Sequence, residues 1–142
     1  MNDPYDLNRF LSAQARTYEA ALAELRRGRK QTHWMWFIFP QVAGLGLSPT
    51  AQRYAIASLD EARAYLAHPV LGPRLTATVE AVNALVGRSA HAILGSPDDR
   101  KLQSSLTLFE RAAIHPEIFA TALDHYYDGE RDARTLEILG LG

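Results

Sequence analysis

An acid, a lysine and a hydroxyl share one flank of a helical stretch in this chain: Asp98, Lys101 and Ser105. With Leu102 at zero and about 100° per residue, Leu106, Phe109 and Ala113 fall within roughly 40° and form the core face. Asp98, Ser105, Ala112, Lys101 and Leu108 follow in that order, between about −40° and −120°. Lys101 therefore stands in an apolar arc, and two readings stay open. Either it snorkels from a rim and pairs with Asp98 at i,i+3 spacing, or the group faces a pocket. In a pocket, desolvation would equip the lysine and the Ser105 hydroxyl for chemistry. Ser104 falls near −160° on the same wheel and reads as solvated or facing a partner.

A second group lies in the block His33-Trp34-Met35-Trp36-Phe37-Ile38-Phe39-Pro40-Gln41. Large rings supply much of a small protein's burial, so most of this block belongs to the core. If the block is extended, Trp34 and Trp36 point to opposite sides, and one of them faces a cleft or a partner. His33 and Gln41, its polar ends, would then line that cleft, with His33 as candidate general acid or base. Just upstream runs Arg26-Arg27-Gly28-Arg29-Lys30. Arg26 and Arg27 suit a helix C-terminus. Arg29 and Lys30, beyond the glycine, are better placed for phosphate. Helix starts at Ser48-Pro49 and Ser96-Pro97 would offer backbone N–H groups to an anion.

Together these residues predict a pocket for a small anionic ligand with an aromatic or sugar part, nucleotide- or ADP-ribose-like. The candidate catalytic residues are His33, Lys101 and Ser105. The candidate binding residues are Arg29, Lys30, Trp34, Trp36, Gln41, Ser48 and Asp98. Hydrolysis is the simplest reaction class that needs neither metal nor thiol. The rival is a non-enzymatic binding or self-assembling protein, a homodimer whose face is an exposed tryptophan with Tyr126 and Tyr127.

Composition removes other classes. With no cysteine among 142 residues there is no thiolate metal site and no thiol nucleophile. The five histidines lack metal-ligand spacing, so no metal and no cofactor are expected. Gly44-Leu45-Gly46 lacks the third glycine and the strand–helix context of a dinucleotide fingerprint. Glu110, Glu117, Asp124 and Asp128 are not spaced as a paired catalytic set. A net charge of −1 argues against nucleic acid or anionic membrane as partner. The longest apolar run is too short to span a bilayer. The opening residues carry no export pattern, so a cytoplasmic location is expected.

The elements that must position these groups are helical almost throughout, in one expected domain over residues 1–142. Asp3-Pro4 opens a helix that runs through Leu7, Phe10, Leu11, Tyr18, Leu22 and Leu25 to Gly28. Ser48-Pro49 opens a second, and Ser58-Leu59-Asp60-Glu61 is a capping box for a third that ends before Pro69. A longer helix spans about Pro73 to Val86, closed by Gly87. Ser89 caps a short turn, Ser96-Pro97 opens the helix of Lys101, His115-Pro116 the next, and Asp132 caps a last one. The aromatic block is expected as a short buried strand, since Pro40 ends any regular element. The expected fold is all-α, a compact orthogonal helix assembly with one short extended aromatic segment in its core.

Four blocks, taken in order, resemble a known family: Asp3-Pro4-Tyr5-Asp6-Leu7-Asn8-Arg9-Phe10, the aromatic block from His33 to Gln41, Ser58-Leu59-Asp60-Glu61-Ala62, and Lys101-Leu102-Gln103-Ser104-Ser105-Leu106-Thr107-Leu108-Phe109. They resemble the bacterial family catalogued as domain of unknown function 1810, whose members are sometimes labelled calpastatin. The resemblance spans essentially the whole chain. It implies a small, mostly helical, single-domain bacterial protein. By fold-level analogy it also implies kinship with small helical hydrolases acting on ADP-ribose derivatives.

Overall fold

The computed structural model describes residues 3–141, and among them ten helices follow one another. They are α1 Asn8–Gln14, α2 Tyr18–Arg27, α3 Met35–Ile38, α4 Pro49–Arg53, α5 Leu59–Ala67, α6 Leu71–Asn83, α7 Ala90–Leu94, α8 Asp98–Ala112, α9 Glu117–Tyr127 and α10 Ala133–Leu139. The fold is all-α. Among the described residues the sole ladder contact is one parallel bridge, Val42 to Ile56.

The longest helix, α8, is the hub and packs against α5, α7, α9 and α10. Ser104 through Phe109 are all buried, polar residues included. From Ser104 to Phe109 the helix is covered on every side, while Arg100 and Arg111 toward its ends stay exposed, which is why its amphipathic wheel misleads over that stretch. The buried hydroxyls stay inexpensive by bonding back into the helix: Thr107 Oγ1 donates to the Gln103 carbonyl at 2.9 Å.

The first expected helix is two. The chain breaks between Gln14 and Tyr18, and the break aims the Gln14 side chain, 1% exposed, into the core. Its amide nitrogen donates to the Phe37 carbonyl at 2.7 Å and to the Tyr65 hydroxyl at 3.1 Å. A buried glutamine thus satisfies a backbone carbonyl that the aromatic block leaves open. Nor does that block begin as a strand. Met35–Ile38 is a single helical turn, and the extended backbone starts only after Pro40, where the Ile56 N–H meets the Gln41 carbonyl and the Ala43 N–H the Ile56 carbonyl, both at 2.8 Å. Trp34 and Trp36 still part company, Trp34 fully buried and Trp36 partly exposed. Two residues make about 200° on a helix and about 180° on a strand, so either element separates them.

Other boundaries follow from caps. Ser58 Oγ accepts from Glu61 N at 3.1 Å while Glu61 Oε1 accepts from Ala57 N at 3.0 Å, a reciprocal cap close to the expected box. The second Glu61 oxygen takes Arg9 Nη2 at 2.7 Å, tying α1 to α5. The long helix ends at Asn83, and Val86, outside it, is 88% exposed rather than core. Ser96 does not cap α8, and Pro97 occupies that position with no side-chain bond.

Candidate functional site

The site is built on a buried carboxylate. Glu24 lies on α2 among Ala21, Leu22 and Leu25, and is 3% exposed. After Gly28 turns the chain at φ 78°, residues 31–34 fold back over this acid. Glu24 Oε1 accepts from Gln31 N at 2.7 Å, Thr32 N at 2.9 Å and Trp34 Nε1 at 2.9 Å, and Oε2 accepts from Thr32 Oγ1 at 2.6 Å. Burial by itself opposes ionisation, but these donors outweigh it and hold the Glu24 carboxyl at about 2, below the ordinary 4.5. The negative charge therefore fixes the loop and the Trp34 ring.

Lys30 leaves this loop over the Trp34 ring, Nζ 5.1 Å from its centroid, and reaches Asp98 Oδ2 at 3.1 Å. Asp98 begins α8, and its other oxygen meets Lys101 Nζ at 3.5 Å. Lys101 in turn stands 5.0 Å over the Trp36 ring. Two ammonium groups thus share one carboxylate, and each lies on an indole face, where the ring quadrupole favours a cation. Five of the expected residues (Lys30, Trp34, Trp36, Asp98 and Lys101) form one chain of contacts linking the loop to the hub helix.

Beyond Lys101 opens a cleft of about 210 Å³, lined by Gln41, Pro97, Arg100, Lys101, Ser104 and Asp132 among others. Gln41 reaches it from the extended segment and Asp132 from the start of α10. Asp132 caps α10 with a single oxygen: Oδ2 accepts from Thr135 N at 3.1 Å, from the Thr135 hydroxyl and from Ser104 Oγ at 3.0 Å. A larger hollow of about 580 Å³ lies beside α1 and α5. Its side chains Asp3 and His68 are engaged as helix caps, Asp3 on Leu7 N and Asn8 N, His68 Nδ1 on Val70 N and Leu71 N.

Other expected positions fall elsewhere. Trp34 is wholly buried and cannot be a ligand wall, which leaves Trp36. Ser105 is 1% exposed and absent from the cleft lining, where Ser104 stands instead. The wheel reversed these two because α10 covers the side of α8 that it assigned to solvent. Arg29 and His33 are exposed on the loop. Ser48 is the N-cap of α4, accepting from Ala51 N at 3.1 Å. Both helix starts keep fewer open N–H groups for an anion than expected. At α4 the Gln52 N–H is also taken, by the Ser48 carbonyl, and at α8 the N–H groups of Asp99, Arg100 and Lys101 all meet backbone carbonyls. Tyr126 and Tyr127 are both part-buried and donate their hydroxyls to the Val82 and Asp99 carbonyls. Burial pushes both phenols above their usual range.

Arg100, Ser104, Asp132 and Glu24 escaped the sequence reading of the site. Glu24 had a legible signal, a charged residue three positions after Ala21 on the core face of an apolar run. Arg100 had a weaker one, a second cation beside Lys101.

The family model described as "Protein of unknown function (DUF1810)" matches residues 4–139. Among solved structures, the conserved hypothetical protein Rv1873 from Mycobacterium tuberculosis, a crystal structure at 1.38 Å, is similar with 53% identity and a TM-score of 0.96. The match covers 99% of this chain and 100% of that one. No curated protein matches the chain. Among the described residues, no helix is long and apolar enough to cross a membrane, and no cluster of three or more His, Cys, Asp or Glu could hold a metal.

Proposed function

The chain belongs to the DUF1810 family of proteins of unknown function, and on that premise we propose that it binds a small anionic, nucleotide- or ADP-ribose-like ligand on the Trp36–Lys101 face. One observation carries the reading. Lys101 shares the single carboxylate of Asp98 with Lys30, which makes the shorter contact, 3.1 against 3.5 Å, so the Lys101 ammonium is incompletely paired where it stands beside a partly exposed indole. An anion is the natural complement of that charge, and a planar or sugar group suits the ring. Trp36, Lys101, Gln41 and Arg100 would make the contacts, with Lys30 and Asp98 holding Lys101 in place.

A hydrolytic step would fall to His33, the exposed acid–base residue on the loop. Ser105 drops out as a nucleophile because it is buried. The protein would act as a single domain in the cytoplasm.

The test is thermal stability of wild type and Lys101→Met against nucleotides, ADP-ribose and sugar phosphates. A ligand at a hundredfold excess over its Kd stabilises by about 2.7 kcal/mol, which moves Tm by several degrees. At least one compound should raise the wild-type Tm and leave the variant unmoved. Without ligand, the variant should be as stable as wild type or more so, since removing a functional cation from a binding site relieves strain there. If every active compound shifts both proteins equally, Lys101 lies outside the site. If no compound shifts wild type, the anion reading is wrong and self-assembly replaces it.

A further inference from the structure

The cleft beyond Lys101 is lined by two cations, Arg100 and Lys101, and by one acid, Asp132. Arg100 is exposed, and its guanidinium enters no ion pair or hydrogen bond among the described residues. Asp132 is held by its cap. Its Oδ2 takes all three intramolecular hydrogen bonds, and Oδ1 accepts none among the described residues. Gln41 adds an amide between chain segments, and Ser104, whose one proton faces both Asp132 Oδ2 at 3.0 Å and the Arg100 carbonyl at 3.2 Å, adds acceptor capacity.

We infer that this cleft takes the phosphorylated, polyhydroxylated end of a ligand, a sugar phosphate, with the phosphate on Arg100 and Lys101 and a sugar hydroxyl donating to Asp132 Oδ1. The inference rests on the anion-binding reading above and narrows it. Arginine matches phosphate through paired N–H donors, and the neighbouring ammonium adds a point charge. A carboxylate repels phosphate and attracts hydroxyl donors, so Asp132 fixes which end of the ligand lies where. Size agrees. About 210 Å³ is below the 300–1,000 Å³ of most drug-sized pockets. One sugar phosphate fits that scale, and any base attached to it would emerge toward Trp36.

The charge on Asp132 makes the inference testable by opposite responses. In Asp132→Asn the amide oxygen keeps the α10 cap and the NH₂ takes the place of Oδ1, where it cannot accept from a hydroxyl. Titration calorimetry would compare ribose 5-phosphate with inorganic phosphate on wild type, Asp132→Asn and Arg100→Gln. Ribose 5-phosphate should bind Asp132→Asn about tenfold or more weakly, the scale of a lost charge-assisted hydrogen bond. Inorganic phosphate should bind that variant as well as wild type or better, because a repelling carboxylate is gone. Arg100→Gln, at an exposed position, should weaken both ligands. If Asp132→Asn leaves ribose 5-phosphate unchanged, or weakens both ligands alike, the sugar assignment is wrong. Lys101-dependent binding of a nucleotide would then still uphold the broader reading. If neither phosphate binds wild type and no nucleotide does, both readings fall together. Far-UV circular dichroism of each variant separates loss of binding from loss of fold.

Discussion

The indole N–H of Trp34 donates to Glu24 Oε1 at 2.9 Å, and both side chains are buried. Ten residues apart, they close the loop that carries Lys30 to Asp98. The acid is charged inside the protein because four donors surround it, and that arrangement has a consequence for pH.

The Glu24 carboxyl sits at about 2 against an ordinary 4.5. A depressed carboxyl contributes its full stabilisation above the unfolded value and loses it as pH falls from about 4.5 through about 2. The contribution at neutral pH is on the order of 3 kcal/mol. Glu24→Gln should therefore be less stable than wild type by about 2–3 kcal/mol at pH 7, since an amide offers one acceptor oxygen where the carboxylate offers two. Denaturant melts across pH 2–7 should show the gap closing toward the acid end. A gap that stays constant would refute the charge argument.

The two tryptophans should report separately. With Trp36→Phe, only the buried Trp34 remains, and acrylamide should quench it poorly. With Trp34→Phe, the remaining Trp36 should be readily quenched, and stability should fall because Glu24 loses a donor. Equal quenching in the two variants would contradict the burial of Trp34.

Gly72 tests close packing between α5 and α6. In an exposed helix, glycine to alanine stabilises by about 0.5–1 kcal/mol. Here a Cβ would lie 2.1 Å from the Leu66 carbonyl oxygen. Gly72→Ala should reverse that sign and destabilise by about 1–3 kcal/mol, the scale of overpacking. A rise in Tm would show that the two helices part without cost.

His68 should matter as a cap. Its Nδ1 accepts from Val70 N at 3.1 Å and Leu71 N at 3.2 Å, ahead of α6. His68→Ala should cost about 0.5–2 kcal/mol, and His68→Asn, which keeps an acceptor, should recover part of it. Chemical denaturation of the three proteins distinguishes this from a surface change, which would leave all three equal.

Much of this architecture is local and was legible in the chain. Ser48, Ser58, Ser89 and Asp132 each cap the helix that follows, because a short polar side chain can satisfy an open N–H only three residues on. The i,i+3 pairing of Asp98 with Lys101 and the unequal fates of Trp34 and Trp36 follow from spacing along one element, and the all-α class follows from the sum of such signals. What tertiary structure decided is which faces are covered. Ser104 and Ser105 differ by about 100° on α8, and only the docking of α10 puts Ser104 on a cleft beside Asp132. The Gln14 side chain finds its partner at the Phe37 carbonyl, and the charge of Glu24 depends on N–H groups that arrive only when the loop folds back. Lys30 finds Asp98 across 68 positions for the same reason. Periodicity reports a residue's neighbours within its own element, while burial, ionisation and the lining of a cleft belong to elements that meet only on folding.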